Sequence, residues 1–386
     1  MDDILIKVLR DHLNEVKTEP FDTDWDSLVS TAMTHEIGGI VFYQCKDFIP
    51  EEYKQKLESA YSVALFYYVN RIKAMDVISK TFSGLNSCSV KGLEVAKFYP
   101  VPALRTMGDC DIVVVPKDCD EAISRLRTLG AEGKEYTENH EWIFDYKGLH
   151  FELHDTLEKS KYTYAGQNDF FNGFEQYIKD GKLDWNFHFL FLITHLRKHF
   201  MGYGVGLRQF MDLAVVIKNG PKLDWEWIET KLEDIGMRDF AHACYSLNDA
   251  WFGIKPPVEF NNLSSSTINA VTENILGNGV FGFDDQDNNN NAVKNAFLMK
   301  RGNRLINRIA YLCGKTFPDY SYMKGYPGCG FIVGRKWLLP LAWIRRFIHI
   351  AFSKDNKSRV DSVKNMFIPD EELDKRKELM NQMGLM

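Results

Sequence analysis

The spacing of hydrophobic positions changes twice along the chain. Ile4, Leu5, Val8, Leu9 and Leu13 recur at three- and four-residue intervals, which predicts a helix with one apolar face. Trp25, Leu28 and Val29 open a second helical stripe just after Asp24, a residue type that caps helix N-termini. Residues 51–82 read as one long, aromatic-rich helix. From about residue 84 the spacing changes. Residues 89–96 read as a strand, a glycine turn at Gly92 and a helix start. Residues 117–130 read as an amphipathic helix through Ala122, Ile123, Leu126 and Leu129, stopped by Gly130. Residues 140–146 and 149–154 alternate about Lys147-Gly148 and predict a hairpin. Helical spacing returns after residue 160, most clearly over residues 186–200 and 207–217, and Pro256-Pro257 closes that block. Residues 282–291 form a polar, asparagine-rich loop, and residues 370–386 read as a charged helix or tail.

Candidate chemistry concentrates where the spacing is that of a strand. Asp109 and Asp111 flank Cys110 at the head of the apolar run Ile112–Val115. On a strand the two acids face the same way, roughly 7 Å apart, while Cys110 turns into the core. Such closely spaced carboxylates repel, and a divalent cation with a preference for oxygen ligands relieves the repulsion. In the second hairpin strand His150, Glu152 and His154 share one face, and Leu149, Phe151 and Leu153 the other. Glu152 is therefore the expected third carboxylate, with Asp145 in reserve. Upstream, Lys91 and the turn at Gly92 suit a phosphate.

These residues together resemble the nucleotidyltransferase superfamily with the DNA polymerase β-like fold. More narrowly, they resemble poorly characterised bacterial nucleotidyltransferases. The resemblance rests on Lys91-Gly92, on Arg105 with Asp109 and Asp111, and on Phe151-Glu152-Leu153-His154. It extends to His195-Leu-Arg-Lys-His199, Gly206-Leu-Arg208 with Asp212, and Asp224-Trp225. The chain departs from the wider superfamily at Leu93, where a serine usually follows the glycine. The resemblance implies an α+β fold. A small mixed β-sheet core over residues 84–158 would be flanked by helical segments at 1–83 and 159–386.

It also implies a Mg²⁺-dependent nucleotidyltransferase, with Mn²⁺ as the alternative ion. Asp109, Asp111 and Glu152 would be catalytic and hold metal. Lys91, Gly92 and Arg105 would bind the nucleoside triphosphate, such as ATP. His154, His195, Lys198, His199 and Arg208 would be candidate substrate contacts. The acceptor hydroxyl is expected on a small molecule rather than on RNA or protein. Two other readings stay open: a nucleotide-binding or regulatory module without turnover, and a modifier of RNA or protein of the toxin–antitoxin kind.

Other patterns have plainer explanations. His195 and His199 stand one helical turn apart, with His188 near the same face, but no glutamate adjoins the first histidine as a zinc protease requires. Arg208 and Asp212, four apart, are expected to pair on their helix.

Composition narrows the class. The chain has 386 residues, 45% of them apolar, enough for two or three cored domains. A net charge of −6 argues against a general nucleic-acid binder. Seven cysteines, at 45, 88, 110, 119, 244, 313 and 329, form no CxxC pair and no even disulfide set, which suits a reducing, cytoplasmic setting. The N-terminus lacks a basic start followed by an apolar signal core. Residues 337–352 are the most apolar stretch, but Arg345 and Arg346 interrupt it. It reads as an amphipathic helix docked on the protein body, and no membrane partner is expected.

Overall fold

A computed structural model describes residues 4–133, 141–157, 170–202, 204–278, 304–352 and 368–386. The expected polar loop at 282–291 lies outside the described residues. The helices are α1 (Ile4–Leu13), α2 (Trp25–Thr34), α3 (Gly38–Cys45), α4 (Glu51–Thr81), α5 (Gly92–Ala96) and α6 (Cys119–Leu129). After the sheet come α7 (Trp185–Met201), α8 (Leu207–Asn219), α9 (Trp225–Asp234), α10 (Arg238–Phe252) and α11 (Ser265–Asn278). The last are α12 (Arg304–Thr316), α13 (Tyr320–Lys324), α14 (Leu339–Phe352) and α15 (Asp370–Gln382). The strands are β1 (Ser87–Val90), β2 (Cys110–Val114), β3 (Glu132–Gly133), β4 (Glu141–Tyr146) and β5 (Leu149–His154). A two-stranded ribbon, Ile178–Lys179 with Lys182–Leu183, was not legible in the sequence. The fold is α+β, as expected.

The five strands form one sheet in the order β1-β2-β5-β4-β3. β2 and β5 run parallel, and every other pair is antiparallel. The hairpin β4–β5 turns at Lys147 and Gly148, with φ of 50° and 78°. Two successive positive φ values match the right-handed twist of the strands, and glycine takes the second at no steric cost. Alternation along β5 is complete: Leu149, Phe151 and Leu153 are buried and the three polar residues are half-buried. The apolar face of the sheet joins one core with Ala74, Met75 and Ile78 of α4 and Ala122, Ile123 and Leu126 of α6. Cys110 is in that core, and burial pushes its thiol up to about 12. The polar face looks toward α7 and α8.

Local signals set the helix ends. Asp24 accepts a hydrogen bond from Ser27 N–H, Asp184 from Asn186 N–H and Asp224 from Trp227 N–H, each at the first turn of its helix. Gly130 stops α6 in the left-handed conformation. Gly253 does the same for α10, so that helix ends before Pro256-Pro257 is reached. The helical segments from the two sides of the sheet pack together. Arg10 of α1 donates to the carbonyls of Ala250 and Trp251, and Asn14 to that of Phe252, at the end of α10.

Two compact units result: Met1–Asp284 with Leu379–Met386, and Asp285–Glu378. In the second, a small core gathers Met323, Cys329, Ile332 and Ala342, with Tyr320, Leu339 and Trp343 against it. The indole N–H of Trp343 donates to Pro318 O. Within this unit α14 turns one side to the small core. Ala342 faces the core, while Leu341, Ile344 and Ile348 are each more than half exposed.

Phe151 is fully buried, stacks on Phe144 at 5.5 Å between ring centroids, and lies next to Glu152. Phe151→Ala should lower the free energy of unfolding by about 3–5 kcal/mol, measured by urea titration.

Candidate functional site

The polar face of the sheet opens into a cavity of about 330 Å³ within the first unit. Parallel pairing builds its floor. The register sets Asp111 opposite Glu152 and Val113 opposite His154 on neighbouring strands. Asp111, Glu152 and His154 each offer a ligand atom, and those atoms lie within 4.8 Å of one another. Asp111 is buried, the other two half-buried. His154 Nε2 lies 3.1 Å from Asp111 Oδ1 and 3.3 Å from Glu152 Oε2.

Lys91 enters this cluster from the turn between β1 and α5. Its ammonium reaches Asp111 Oδ1 at 2.6 Å. The turn itself is unusual: Lys91, not Gly92, carries a positive φ, of 53°. A non-glycine residue in this region costs of order 1–3 kcal/mol and persists only where its surroundings hold it. Here Lys91 N–H donates to Nε2 of buried His188 at 3.0 Å, while its side chain is held by Asp111. Gly92 serves by its size. A Cβ there would sit 3.3 Å from Met107 Sδ and 3.7 Å from the Arg105 guanidinium.

Burial alone would raise the Asp111 carboxyl, but Lys91 and the His154 hydrogen bond overcome it and hold Asp111 well below the usual carboxylate range. Burial would likewise lower His154, yet its hydrogen bonds to Asp111 and Glu152 prevail and raise it to about 9. Asp109 moves the other way: burial, reinforced by the charge of Asp111, raises it. His188 is lowered to about 3 and His199 to about 4, both by burial with the Lys91 charge beside it. His195 is lowered for the same reasons. Nε2 of His195 and Nε2 of His199 are 3.0 Å apart, so one ring donates its proton to the other.

The expected residues Lys91, Gly92, Arg105, Asp109, Asp111, Glu152, His154, His195, Lys198, His199 and Arg208 all line this cavity, with Asp212. Their arrangement differs from the sequence reading in several respects. Strand β2 begins at Cys110, so Asp109 sits in the preceding loop and is outside the close trio. His154, expected as a substrate contact, stands among the metal-competent atoms instead. Asp145 is not a third acid of the site. It faces outward and pairs with His150 at 3.0 Å.

The expected Arg208–Asp212 pair is replaced by longer-range partners. Asp212 takes the fork of Arg105, with Nε at 3.1 Å from Oδ1 and Nη2 at 2.6 Å from Oδ2, and also accepts from Tyr99 Oη at 2.7 Å. Arg208 donates instead to Glu36 Oε2 at 2.9 Å and Thr106 O at 2.8 Å. A guanidinium fork matches a carboxylate better in this bidentate geometry than across one helical turn. Both arginines thus tie the loop before Asp109 to α8. Neither Tyr99 nor Glu36 carries a local sequence signal for this role, because their partners are more than a hundred residues away.

Residues 22–253 match the family described as uncharacterised nucleotidyltransferases. That stretch is more than half of the chain and includes the whole cavity, and the chain belongs to this family. No curated protein and no solved structure matches it.

Removing one side of the buried Arg105–Asp212 pair strands the other charge. Asp212→Ala should cost about 3–5 kcal/mol of stability in chemical denaturation, and Arg105→Met with Asp212→Leu distinctly less than either single change. His154 gives a pH signature. Its proton is held to about 9 in the fold against 6.5 in the unfolded chain. The stabilisation is complete below pH 6.5 and is lost as pH rises to about 9, by roughly 3 kcal/mol. Urea titrations across that window should show the decline, and His154→Gln should flatten it.

Proposed function

We propose that this protein is a metal-dependent nucleotidyltransferase that moves a nucleoside monophosphate from a triphosphate to an acceptor hydroxyl, releasing pyrophosphate. The observation that carries the reading is the Asp111–Glu152–His154 trio, set on paired strands and ringed by Lys91, Arg105, Lys198 and Arg208. Two carboxylates and an imidazole fit a divalent cation, with oxygen favouring Mg²⁺ and the histidine nitrogen tolerating Mn²⁺. Asp111 and Glu152 would hold it, with His154 beside them and Asp109 adding charge from the loop. When bound, the ion supplies neutralisation of the triphosphate and lowers the pKa of the acceptor hydroxyl.

The protein's own groups account for the rest. Lys91 faces the acids at 2.6 Å and is the cation best placed to turn to a phosphate. Gly92 lets the backbone of that turn pass close to Met107 and Arg105, where a side chain would be crowded. Arg105 and Arg208 are already paired, so they contribute field and hold the Asp109 loop rather than act as free phosphate clamps. His195 and His199, kept neutral, would accept a proton or hydrogen-bond the acceptor. A small-molecule acceptor is favoured over RNA by the net charge of −6.

The Lys91–Asp111 contact favours a second reading, in which the chain binds nucleotide without turnover. The ammonium engages an oxygen that a catalytic cation needs. The experiment that separates them is a thermal-shift screen with ATP, CTP, GTP and UTP, each with and without Mg²⁺, paired with a pyrophosphate-release assay. A ligand at a hundredfold excess over its Kd should stabilise the protein by about 2.7 kcal/mol. Turnover should require Mg²⁺ or Mn²⁺ and fall at least ~100-fold in Asp111→Asn and in Glu152→Gln. A shift without pyrophosphate, whatever acceptor is supplied, would favour the binding module. Full activity in both variants would reject the metal mechanism.

A further inference from the structure

Taken by itself, the second unit carries many of its apolar side chains on its surface. Among the described residues, twelve of the twenty exposed large hydrophobic side chains fall within residues 304–352. They are arranged by helical period. On α14, Leu341, Ile344 and Ile348 share one face at 54%, 54% and 55% exposure, and Trp337 precedes them at 77%. On α12, Ile306 and Ile309 are 64% and 50% exposed while Asn307 is buried. That is the reverse of the pattern a helix adopts when it closes a core. The small core of this unit is already formed by the opposite side of α14, through Ala342 and Trp343.

Charge separates this stretch from the rest of the chain. Residues 304–352 contain eight Lys or Arg and one acid, Asp319, a net of +7 in a chain of net −6. Arg335 and Lys336 adjoin Trp337, and Arg345 lies between Ile344 and Ile348 and is itself exposed. Cations set among exposed Trp, Leu and Ile are the chemistry of a helix lying in an anionic lipid interface. A nucleic-acid surface would share the charge but not the aliphatic face. No helix among the described residues is long and apolar enough to cross a membrane, but docking onto a surface makes no such demand.

We propose that residues 304–352 are a peripheral docking surface for anionic lipid, with Trp337, Leu341, Ile344 and Ile348 entering the interface and Arg335, Lys336 and Arg345 meeting the headgroups. This departs from the expectation of no membrane partner and is independent of the nucleotidyl-transfer reading. Ordinary soluble surfaces do not expose a run of this kind without a partner.

The test is co-sedimentation of the full chain with vesicles of phosphatidylcholine alone or with about 30% phosphatidylglycerol, at low salt and at about 0.5 M NaCl. Binding is expected only to the anionic vesicles and is expected to weaken with salt. Leu341→Glu with Ile344→Glu should reduce the partition coefficient at least tenfold. Arg335→Glu with Lys336→Glu should do the same through charge alone. All four positions are exposed, so the unfolding temperature should not change, and the second pair keeps the test decisive if the first misfolds. Absence of binding to anionic vesicles, or binding unaffected by both pairs, overturns the proposal. So does a dimer in light scattering that Leu341→Glu disperses, since a second copy would then cover this face. RNA binding that depends on the basic pair but not on the apolar pair also overturns it.

Discussion

Two carboxylates held side by side on neighbouring strands repel one another, and the structure around them exists to contain that repulsion. Asp111 and Glu152 are adjacent because β2 and β5 pair in parallel with those two residues in register. One partner is buried, where an unpaired charge would be most costly. The Lys91 ammonium and the His154 ring meet the same oxygen of Asp111 and compensate it. Removing Asp111 would leave Lys91 and His154 facing each other without the carboxylate that both meet, so these three groups depend on one another.

The demands of this cluster extend outward. Lys91 reaches Asp111 from a turn whose backbone is held in a strained conformation by His188. The loop leading to Asp109 is fixed from α8 by Arg105 on Asp212 and by Arg208 on Thr106 and Glu36. Beneath the sheet, α4 and α6 supply an apolar floor, and Arg71 of α4 donates to Gly108 O beside Asp109. The site is thus carried by secondary-structure elements on both faces, and Asp111, Arg105, Asp212 and Arg208 each have an oppositely charged partner. A divalent cation and a triphosphate would enter as a compensating pair, the cation taking over Asp111 and the phosphates taking over Lys91. On the proposed reading, such an exchange would explain why a lysine lies against Asp111 in this site.

Much of this was legible in the chain. Alternation in residues 149–154 placed Glu152 and His154 on one face, and the hairpin turn followed from Lys147-Gly148. The 3–4 spacing found α1, α6, α7 and α8, and Asp24 and Gly130 marked helix ends. The limits share a cause. Arg208 and Asp212 looked like partners because they are near in sequence, yet each found a partner across the fold. Likewise, the period of α14 marks an apolar face without saying what that face meets.

The sequence by itself determined the elements, their faces, the acid-bearing strands and the membership of a nucleotidyltransferase family, because period, turn chemistry and short motifs are local. Only the tertiary structure decided which acids meet. The parallel register between β2 and β5 brings together residues 41 positions apart, puts His154 in the trio and leaves Asp109 at its edge. It also decided that Lys91 balances Asp111 and that Arg105 belongs to Asp212. Pairing among buried charges is chosen by geometry and by the cost of leaving any one of them alone, and neither is written in the spacing of residues along a chain.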